Sequence, residues 1–383
     1  MAANPEDGTE RRAPAPSDPA SRGRAPAAKP DPVPDPTGPV ARDQKAATAA
    51  RRRAEQRAER ITAGLDDLEL WLGDQIRTGL TTLKRAGYRE IDEQARRLVD
   101  AQAPGVAGMV RELAGALADE DWADRTLTEF ALLHLLVQGW RHRAALPDPL
   151  AATVRRRIGL TSTGAEVARV GEHVADDWLV LGSRDTLQDK LIERRTWLHG
   201  RASDRIALLL SYAPPGQSPG PAPLVGGTLS LELVFVPEAA PLRAVVLHPD
   251  ELAAQVSPDS DDPARPSQEV DIQSPARLAA GATLDELAER FAAALAADPW
   301  TSGVPGVVAQ AELGFDAAED AWWVLDRVGS SMVPLTVPGE KVDRLRYQLL
   351  AACSGRPVAL FGEYRPSGFT PITVFGDGGA VSV

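Results

Sequence analysis

The spacing of hydrophobic residues changes around residues 165–180, and this change constrains the fold more than any other feature. Before it, apolar residues recur every three or four positions, which is the period of a helix face. After it, apolar and polar residues alternate, which is the period of a half-buried strand. The sequence therefore predicts an α+β fold, with an N-terminal α-helical bundle followed by a β-rich, mostly antiparallel α+β domain.

The helical domain is expected to span residues 45–165. Its clearest apolar stripe is made of Leu65, Leu68, Leu72, Ile76, Leu80 and Leu83. Further helices are predicted at 91–102, 106–117, 127–140 and 150–158. The segment 127–140 is apolar on nearly all sides, so it is predicted to be the central buried helix of the bundle. His134 lies within it and is expected to be a hydrogen-bonded core histidine, with a ligand role as the alternative.

The β-rich domain is expected to span residues 166–383. Strands are predicted at 178–181, 190–198, 205–212, 228–236, 242–247, 306–315, 321–325, 332–337, 357–364 and 369–375. A capping box formed by Thr283 and Glu286 predicts a helix start, and 341–352 predicts another helix. The Pro/Gly-rich segment 213–227 and the acidic segment 249–272 are expected to be flexible. The pair Asp176-Asp177 is interpreted as turn residues.

Residues 1–44 have the composition of a disordered tail. Ten of the 32 prolines fall in the first 40 residues, and no aromatic residue precedes Trp71. Such a segment cannot bury enough apolar surface to offset the entropy of ordering. The following stretch, 46–60, is rich in alanine and arginine and favours a helix. Its arginines indicate either a basic arm for nucleic acid or an acidic partner, or a solvated helix face.

Composition and motifs exclude several classes of protein. Lys and Arg number 42 against 54 Asp and Glu, a net charge of −12, which argues against general nucleic-acid binding. The chain has no apolar signal segment at its start and no run of about 18 apolar residues, so a cytoplasmic location is expected. The one cysteine, Cys353, excludes an intramolecular disulfide and a multi-cysteine zinc cluster. It ends a predicted helix, where the dipole disfavours a thiolate, and no catalytic motif is present.

The densest polar group lies in the hairpin predicted at 190–212. Arg194, Arg195, Trp197 and Arg201 are the candidate binding residues, because arginine beside tryptophan can bind an anionic partner or stack on it. The same arginines can instead form salt bridges across the hairpin to Glu193 and Asp204. No catalytic residue and no metal ligand is predicted.

Several segments resemble one protein family. They are GLDDLELWL at 64–72, LGSRDT at 181–186, RRTWLHGR at 194–201, LLSYAPPGQ at 209–217 and SGRPVALFGE at 354–363. Over residues 46–383 the chain resembles the actinobacterial SWIM-type zinc finger family proteins. That family carries a C-x-C and C-x-H zinc motif before its helical region, which a chain with one cysteine cannot contain. The expectation is therefore no cofactor here, with zinc only if a SWIM motif lies upstream, which would make this chain a fragment.

The resemblance also implies a role. Family members resemble components of gene clusters that encode a MoxR-type AAA+ ATPase and von Willebrand A-domain proteins. The leading hypothesis is a non-enzymatic cytoplasmic adaptor for such a protein partner, away from the membrane. The alternatives are a nucleic-acid-associated protein, a fragment of a zinc-binding SWIM protein, and an enzyme with an unrecognised site.

Overall fold

A computed structural model describes residues 39–188, 191–256, 281–337, 342–376 and 379–383. The chain divides into two units, Met1–Glu55 and Gln56–Val383. The helices are α1 (Pro39–Thr78), α2 (Leu80–Ala86), α3 (Tyr88–Asp100), α4 (Pro104–Ala116), α5 (Trp122–Arg141), α6 (Asp148–Ile158), α7 (Gly164–Val170), α8 (Pro249–Val256), α9 (Leu284–Ala297) and α10 (Val342–Cys353). The strands are β1 (Glu172–Gln188), β2 (Leu191–Gly200), β3 (Ile206–Ala213), β4 (Thr228–Phe235), β5 (Ala244–Val246), β6 (Gly281–Ala282), β7 (Val304–Asp316), β8 (Ala321–Asp326), β9 (Met332–Pro334), β10 (Val358–Arg365), β11 (Gly368–Gly376) and β12 (Gly379–Ser382).

The first helix is longer than the sequence predicts. It begins at Pro39, so the last residues of the expected tail, 39–44, are helical, while 1–38 lie outside the described residues. Proline is favoured in the first turn of a helix because its missing N–H has no intrahelical acceptor to lose. The Ala/Arg-rich sequence that follows has no further glycine or proline before Gly64. The prediction that the whole of 1–44 is disordered is therefore wrong for 39–44.

The leucine stripe of the sequence is divided between two helices. α1 ends at Thr78, and Gly79 takes a φ of +94°, a left-handed conformation that glycine adopts without steric cost. Leu65, Leu68 and Leu72 are buried before this break and Leu83 is buried after it, whereas Ile76 is 49% exposed. The break changes the direction of the chain, so a single helical period cannot be continued from 65 to 83.

The bundle core is formed by the apolar faces of helices α1 to α6, with α2 contributing Leu83. Helix α5 contributes Phe130, Leu133, Val137 and Trp140, but its opposite side is solvent-exposed, with Leu127 half exposed. The prediction that 127–140 is the central buried helix of the bundle therefore holds for one face of α5 and is wrong for the other. Among the described helices, no stretch is both long and apolar enough to cross a lipid bilayer.

His134 lies on the exposed side of α5 and not in the core. Its side chain is 55% exposed, and its Nδ1 atom lies 3.2 Å from Oε1 of Glu69 on α1. The same carboxylate accepts a hydrogen bond of 2.7 Å from Nε2 of Gln138. The expectation of a core histidine is wrong because α5 turns this position toward the polar seam that it shares with α1.

The first sheet is antiparallel, in the order β3-β2-β1-β4-β5. Its two edge strands approach each other, because Leu208 of β3 donates its N–H to the carbonyl of Leu242 over 2.8 Å. Alternation in β4 buries Leu229, Leu231, Leu233 and Phe235 on one face. The sheet therefore curls until its edges meet, which limits the unpaired backbone available at either edge.

The second sheet has the order β12-β11-β10-β7-β8-β9, with the short β6 parallel to β7. Beyond β9, Thr336 donates to the carbonyl of Phe369 in β11 over 2.9 Å, so this sheet also curls back on itself. Helix α9 begins with the predicted capping box, in which Thr283 and Glu286 cap each other. Helices α9 and α10 supply Leu287, Leu349 and Cys353 to the core on one face of the sheet.

The two sheets pack face to face through a shared core. Leu181 and Trp197 of the first sheet meet Val307, Phe361 and Ile372 of the second. The ring of Trp197 lies edge-on to that of Phe361, with 5.9 Å between ring centroids. The predicted fold class, a helical bundle followed by antiparallel β-structure in an α+β fold, is confirmed.

The Asp176-Asp177 pair lies within strand β1, so its interpretation as turn residues is wrong. The carboxylate of Asp176 accepts hydrogen bonds from the backbone N–H groups of Ala202 and Ser203 and from the Ser203 hydroxyl. It therefore stabilises the turn between β2 and β3 from the neighbouring strand. Burial raises the pKa of Asp176, but these hydrogen bonds outweigh burial and leave it below its usual value.

The two segments expected to be flexible differ in structure. Most of 213–227 has no regular secondary structure, yet Gly226 donates to the carbonyl of Val180 over 2.9 Å and ties the end of the segment to β1. The acidic segment begins with helix α8, so the prediction of a loop is wrong for 249–256. Gln255 holds this helix against β4 by hydrogen bonds to both the N–H and the carbonyl of Ser230. Residues 257–272 lie outside the described residues.

The helical bundle and the sheets meet at a buried group of charged side chains. Nε of Arg156 in α6 lies 2.6 Å from Oε1 of Glu238, and Nη2 of Arg157 lies 2.9 Å from Oδ2 of Asp298. The side chains of Glu238 and Asp298 are each 5% exposed. Burial raises the pKa of Glu238, against the opposing effect of Arg156, and burial lowers the pKa of Arg156. The charges are therefore held in a poorly solvated junction where each depends on its partner.

Trp300 adds an apolar contact to the same junction. It follows α9 in the chain but packs into the bundle core, and its Nε1 atom donates to the carbonyl of Leu132 in α5 over 3.0 Å. Asp298, two residues earlier, accepts the backbone N–H of Trp300. The carboxylate that pairs with Arg157 thus also orients the tryptophan that enters the bundle.

Replacement of Glu238 by alanine is expected to lower the free energy of unfolding by about 3 kcal/mol, because Arg156 is left buried without its nearest counter-charge. Urea unfolding of the full chain, followed by tryptophan fluorescence, measures this change. The matched control is the double variant Arg156→Met, Glu238→Leu, which removes both charges. Its loss of unfolding free energy is expected to be far smaller than the sum of the losses in the single variants Arg156→Met and Glu238→Leu. Simple additivity of the two single effects would contradict the proposed pairing.

Candidate functional site

The four predicted binding residues do not converge in the structure. Arg194, Arg195 and Trp197 lie in β2, where successive side chains point to opposite faces. Arg195 and Trp197 share the face toward the second sheet, Arg194 lies on the other face, and Arg201 follows the end of the strand. The assignment of these residues as a binding site remains a prediction.

Arg194 is engaged by an internal carboxylate. Its Nε and Nη2 atoms donate to the two oxygens of Asp185 on β1, each over 2.8 Å, and its Nη1 atom donates to the carbonyl of Gly220. The hydrogen bond raises the pKa of Arg194 and lowers that of Asp185. A bidentate pair of this kind fixes the position of the guanidinium, so Arg194 links β2 to β1 and to the 213–227 segment.

The other three residues also have contacts within the fold. Arg195 pairs with Glu193 on its own strand, with 2.6 Å between Nε and Oε1. Arg201 donates to the hydroxyl of Thr228 over 3.2 Å. Trp197 is buried between the sheets. The salt bridges expected across the hairpin do not form at the two predicted acids: Glu193 pairs with Arg195 of its own strand, and Asp204 accepts from His199 over 2.8 Å.

A polar pocket opens elsewhere, on the helical bundle between α1, α2 and α3. Its volume is about 290 Å³, and its wall includes Trp71 together with five polar residues of α3: Arg89, Glu90, Glu93, Gln94 and Arg97. This size is near the lower end of small-molecule sites and suits one or two amino-acid side chains. Sequence analysis did not identify it.

The wall of the pocket is ordered by hydrogen bonds around Glu90. Oε1 of this carboxylate accepts from Nε2 of Gln75 over 2.6 Å and lies 3.4 Å from Nε1 of Trp71. The Trp71 ring packs against Phe130 of α5, with 5.7 Å between centroids. The aromatic side of the pocket is therefore fixed by the bundle core.

Gln94 is the unusual residue of this wall. It is 3% exposed, and its Nε2 atom has no hydrogen-bond partner among the described residues. One sequence signal points to it, because Gln94 lies three positions after Ile91, in the register of the buried face of α3. A polar residue at an apolar position is the pattern that could have revealed the pocket.

Side chains able to bind a metal ion do not cluster in the part of the chain that the structure describes. No group of three or more His, Cys, Asp or Glu residues could hold a metal ion there. Cys353 ends α10, is 5% exposed, and packs in the core between α10 and the second sheet. Burial raises the pKa of its thiol to about 11, the opposite of the shift that a nucleophilic cysteine requires.

The Cys353 thiol is therefore expected to react slowly in the folded protein. At pH 8, a pKa of about 11 leaves the thiolate about 100-fold less populated than in the unfolded chain. Labelling with a disulfide reagent in buffer and in denaturant measures the ratio. Since this is the one cysteine of the chain, a Cys353→Ser variant gives the zero level. Equal labelling rates in buffer and denaturant would show that the thiol is not protected.

The raised pKa also has a consequence for stability. The neutral thiol is favoured in the folded state, so its contribution is fully present below the pKa of about 9 in the unfolded chain. This contribution is lost as the pH rises from about 9 toward 11.

Comparison with known proteins gives one match. No curated protein and no solved structure matches the chain. Residues 56–158, which contain α1 from Gln56 onward and helices α2 to α6, match the family described as the SWIM-associated four-helix bundle domain. The match covers the bundle and the pocket, and it relates this chain to SWIM-domain proteins.

Proposed function

We propose that this chain is a non-enzymatic interaction protein of the cytoplasm, related to SWIM-domain proteins, whose helical bundle carries the partner-binding surface. The observation that carries the proposal is the match of residues 56–158 to a SWIM-associated bundle domain that here holds a polar pocket. Further support comes from the arginines of β2. Their guanidinium groups have internal partners, so they are less suited to an external one than side chains of the bundle.

The partner follows from the family resemblance. Members of the SWIM-type zinc finger family resemble components of clusters that also encode a MoxR-type AAA+ ATPase and von Willebrand A-domain proteins. We therefore propose an adaptor role, in which the bundle binds one of these proteins. The β-domain supports the bundle through the ion pairs of Arg156 and Arg157 and through Trp300.

The full chain is expected to bind a MoxR-type ATPase or a von Willebrand A-domain protein encoded beside its gene, with a Kd of about 10 μM or tighter. Biolayer interferometry with the immobilised chain and each purified partner measures this affinity. An unrelated AAA+ ATPase at the same concentrations is the control. If neither candidate gives more signal than that control, the adaptor proposal is wrong.

Nucleic-acid association is a second candidate, favoured by three consecutive exposed residues of α1, Arg51, Arg52 and Arg53. If they contact phosphates, binding to random duplex DNA weakens steeply with salt. Replacing all three with glutamine is expected to reduce the slope of log K against log salt by about 2–3. The double variant Arg85→Gln, Arg96→Gln is the control on other exposed arginines. An unchanged slope in the triple variant, or no binding at low salt, would exclude this function for the arginine run.

A further inference from the structure

Two arginines lie opposite each other at the rim of the core between the two sheets. Arg184 of β1 and Arg195 of β2 are register partners. Side chains directly opposite on antiparallel strands have Cβ atoms about 5 Å apart. Both arginines point toward the second sheet, since Gly182, two positions before Arg184, packs closely against Ile372 of that sheet. Like charges in this position repel each other, so the pair is unfavourable without a counter-charge.

Arg184 is held at this rim by a single hydrogen bond. Its Nη2 atom donates to the carbonyl of Pro371 in β11 over 3.0 Å. Its Nε and Nη1 atoms have no acceptor among the described residues, and neither is sealed from solvent. Burial lowers the pKa of Arg184, the charge of Glu363 opposes this, and the charge of Arg195 lowers the pKa further. Arg184 therefore carries a partly desolvated positive charge with two donors open to solvent.

The two carboxylates near Arg184 on this face are each engaged by a different arginine. Glu193 accepts from Nε of Arg195, with 2.6 Å between Oε1 and Nε. Glu363 of β10 pairs with Arg365 of its own strand, with 3.1 Å between Oε2 and Nη2. Three guanidinium groups thus share two carboxylates, which leaves a surplus positive charge at the rim.

The next residue in the chain does not supply the missing counter-charge. Asp185 follows Arg184, but alternation along β1 places its side chain on the opposite face of the sheet. There it accepts two hydrogen bonds from Arg194. Among the described residues, Arg184 therefore has no carboxylate of its own within ion-pair distance.

We propose that Arg184 and Arg195 bind a phosphate group at the rim between the two sheets. Arg184 offers its Nε and Nη1 atoms. Arg195 uses Nε for Glu193, and its side chain is 37% exposed, so it offers its two terminal nitrogens. This anion site lies in the β-domain, so it goes beyond the proposed adaptor function of the bundle.

The geometry favours phosphate over a carboxylate. A carboxylate is matched by one guanidinium and carries one negative charge. A phosphate monoester carries a charge of about −1.5 to −2 at pH 7, and its three oxygens can accept from guanidinium groups on two strands at once. It therefore compensates the surplus charge of Arg184 and also offsets the repulsion between the two arginines.

The probes are inorganic phosphate and acetyl-phosphoserine methylamide, with acetate as the carboxylate control, all at the same ionic strength set with sodium chloride. The Nε–H signal of Arg184, assigned with an Arg184→Lys variant, reports binding to the full chain in a ¹H–¹⁵N correlation spectrum. We expect a saturable shift with at least one phosphate ligand, at a Kd of about 1 mM or tighter, and at least tenfold weaker binding of acetate. The tighter of the two phosphate ligands shows whether the site prefers the free anion or an ester.

The melting temperature gives a second readout that variants can share. At 20 mM of the better phosphate ligand, the wild-type chain is expected to melt about 2 °C higher than in sodium chloride of equal ionic strength. Arg184→Gln and Arg195→Gln are each expected to abolish most of this rise, because each removes one of the two guanidinium groups. Arg327→Gln, which removes an exposed arginine after β8, is the matched control and keeps the full rise.

Three results would overturn the inference. They are no saturable shift up to roughly 20 mM of either phosphate ligand, acetate binding as tight as phosphate, and an equal rise in melting temperature for Arg184→Gln and Arg327→Gln. If Arg184→Gln does not fold, the comparison of Arg195→Gln with Arg327→Gln decides the same question. A role of the two arginines in folding alone would change the melting temperature in sodium chloride and leave the effect of phosphate intact.

Discussion

The buried charges between α6 and the β-domain are the contact on which the arrangement of the second unit depends. Arg156 pairs with Glu238 and Arg157 with Asp298, and Trp300 enters the bundle core beside them. Ion pairs of this kind add little net stability compared with a well-packed apolar contact, but any alternative docking leaves charges buried and unpaired. They therefore select one arrangement of helices on sheets, and Trp300 supplies the apolar burial that makes that arrangement favourable.

Within the β-domain, polar side chains also fix the arrangement of neighbouring segments. Both sheets curl until backbone hydrogen bonds join their ends, at Leu208 with Leu242 and at Thr336 with Phe369. Carboxylates then hold the turns and loops in place. Asp176 receives the N–H groups of the β2–β3 turn, and Asp185 fixes Arg194, which also reaches the carbonyl of Gly220. The guanidinium groups of Arg194 and Arg195 in β2 thus have carboxylate partners within the fold.

The pocket on the bundle shows the opposite arrangement. Its wall is rigid because Trp71 packs on Phe130 and the Glu90 carboxylate joins α1 to α3. The Nε2 atom of Gln94 is nevertheless buried without a hydrogen-bond partner among the described residues. The matched region, 56–158, contains this pocket.

Sequence periodicity by itself indicated the change from helices to strands and the fold class, and residue type indicated the capping box at Thr283, because these signals come from near neighbours in the chain. It could not indicate the end of α1 at Gly79, the exposure of His134, the place of Asp176 in a strand, or the pocket at Gln94. The last three depend on which distant residue supplies a partner: Glu69 for His134, the β2–β3 turn for Asp176, and none within the described chain for the Nε2 atom of Gln94. Only the tertiary structure decides such pairings, since a polar side chain takes its role from the donors and acceptors that folding brings to it.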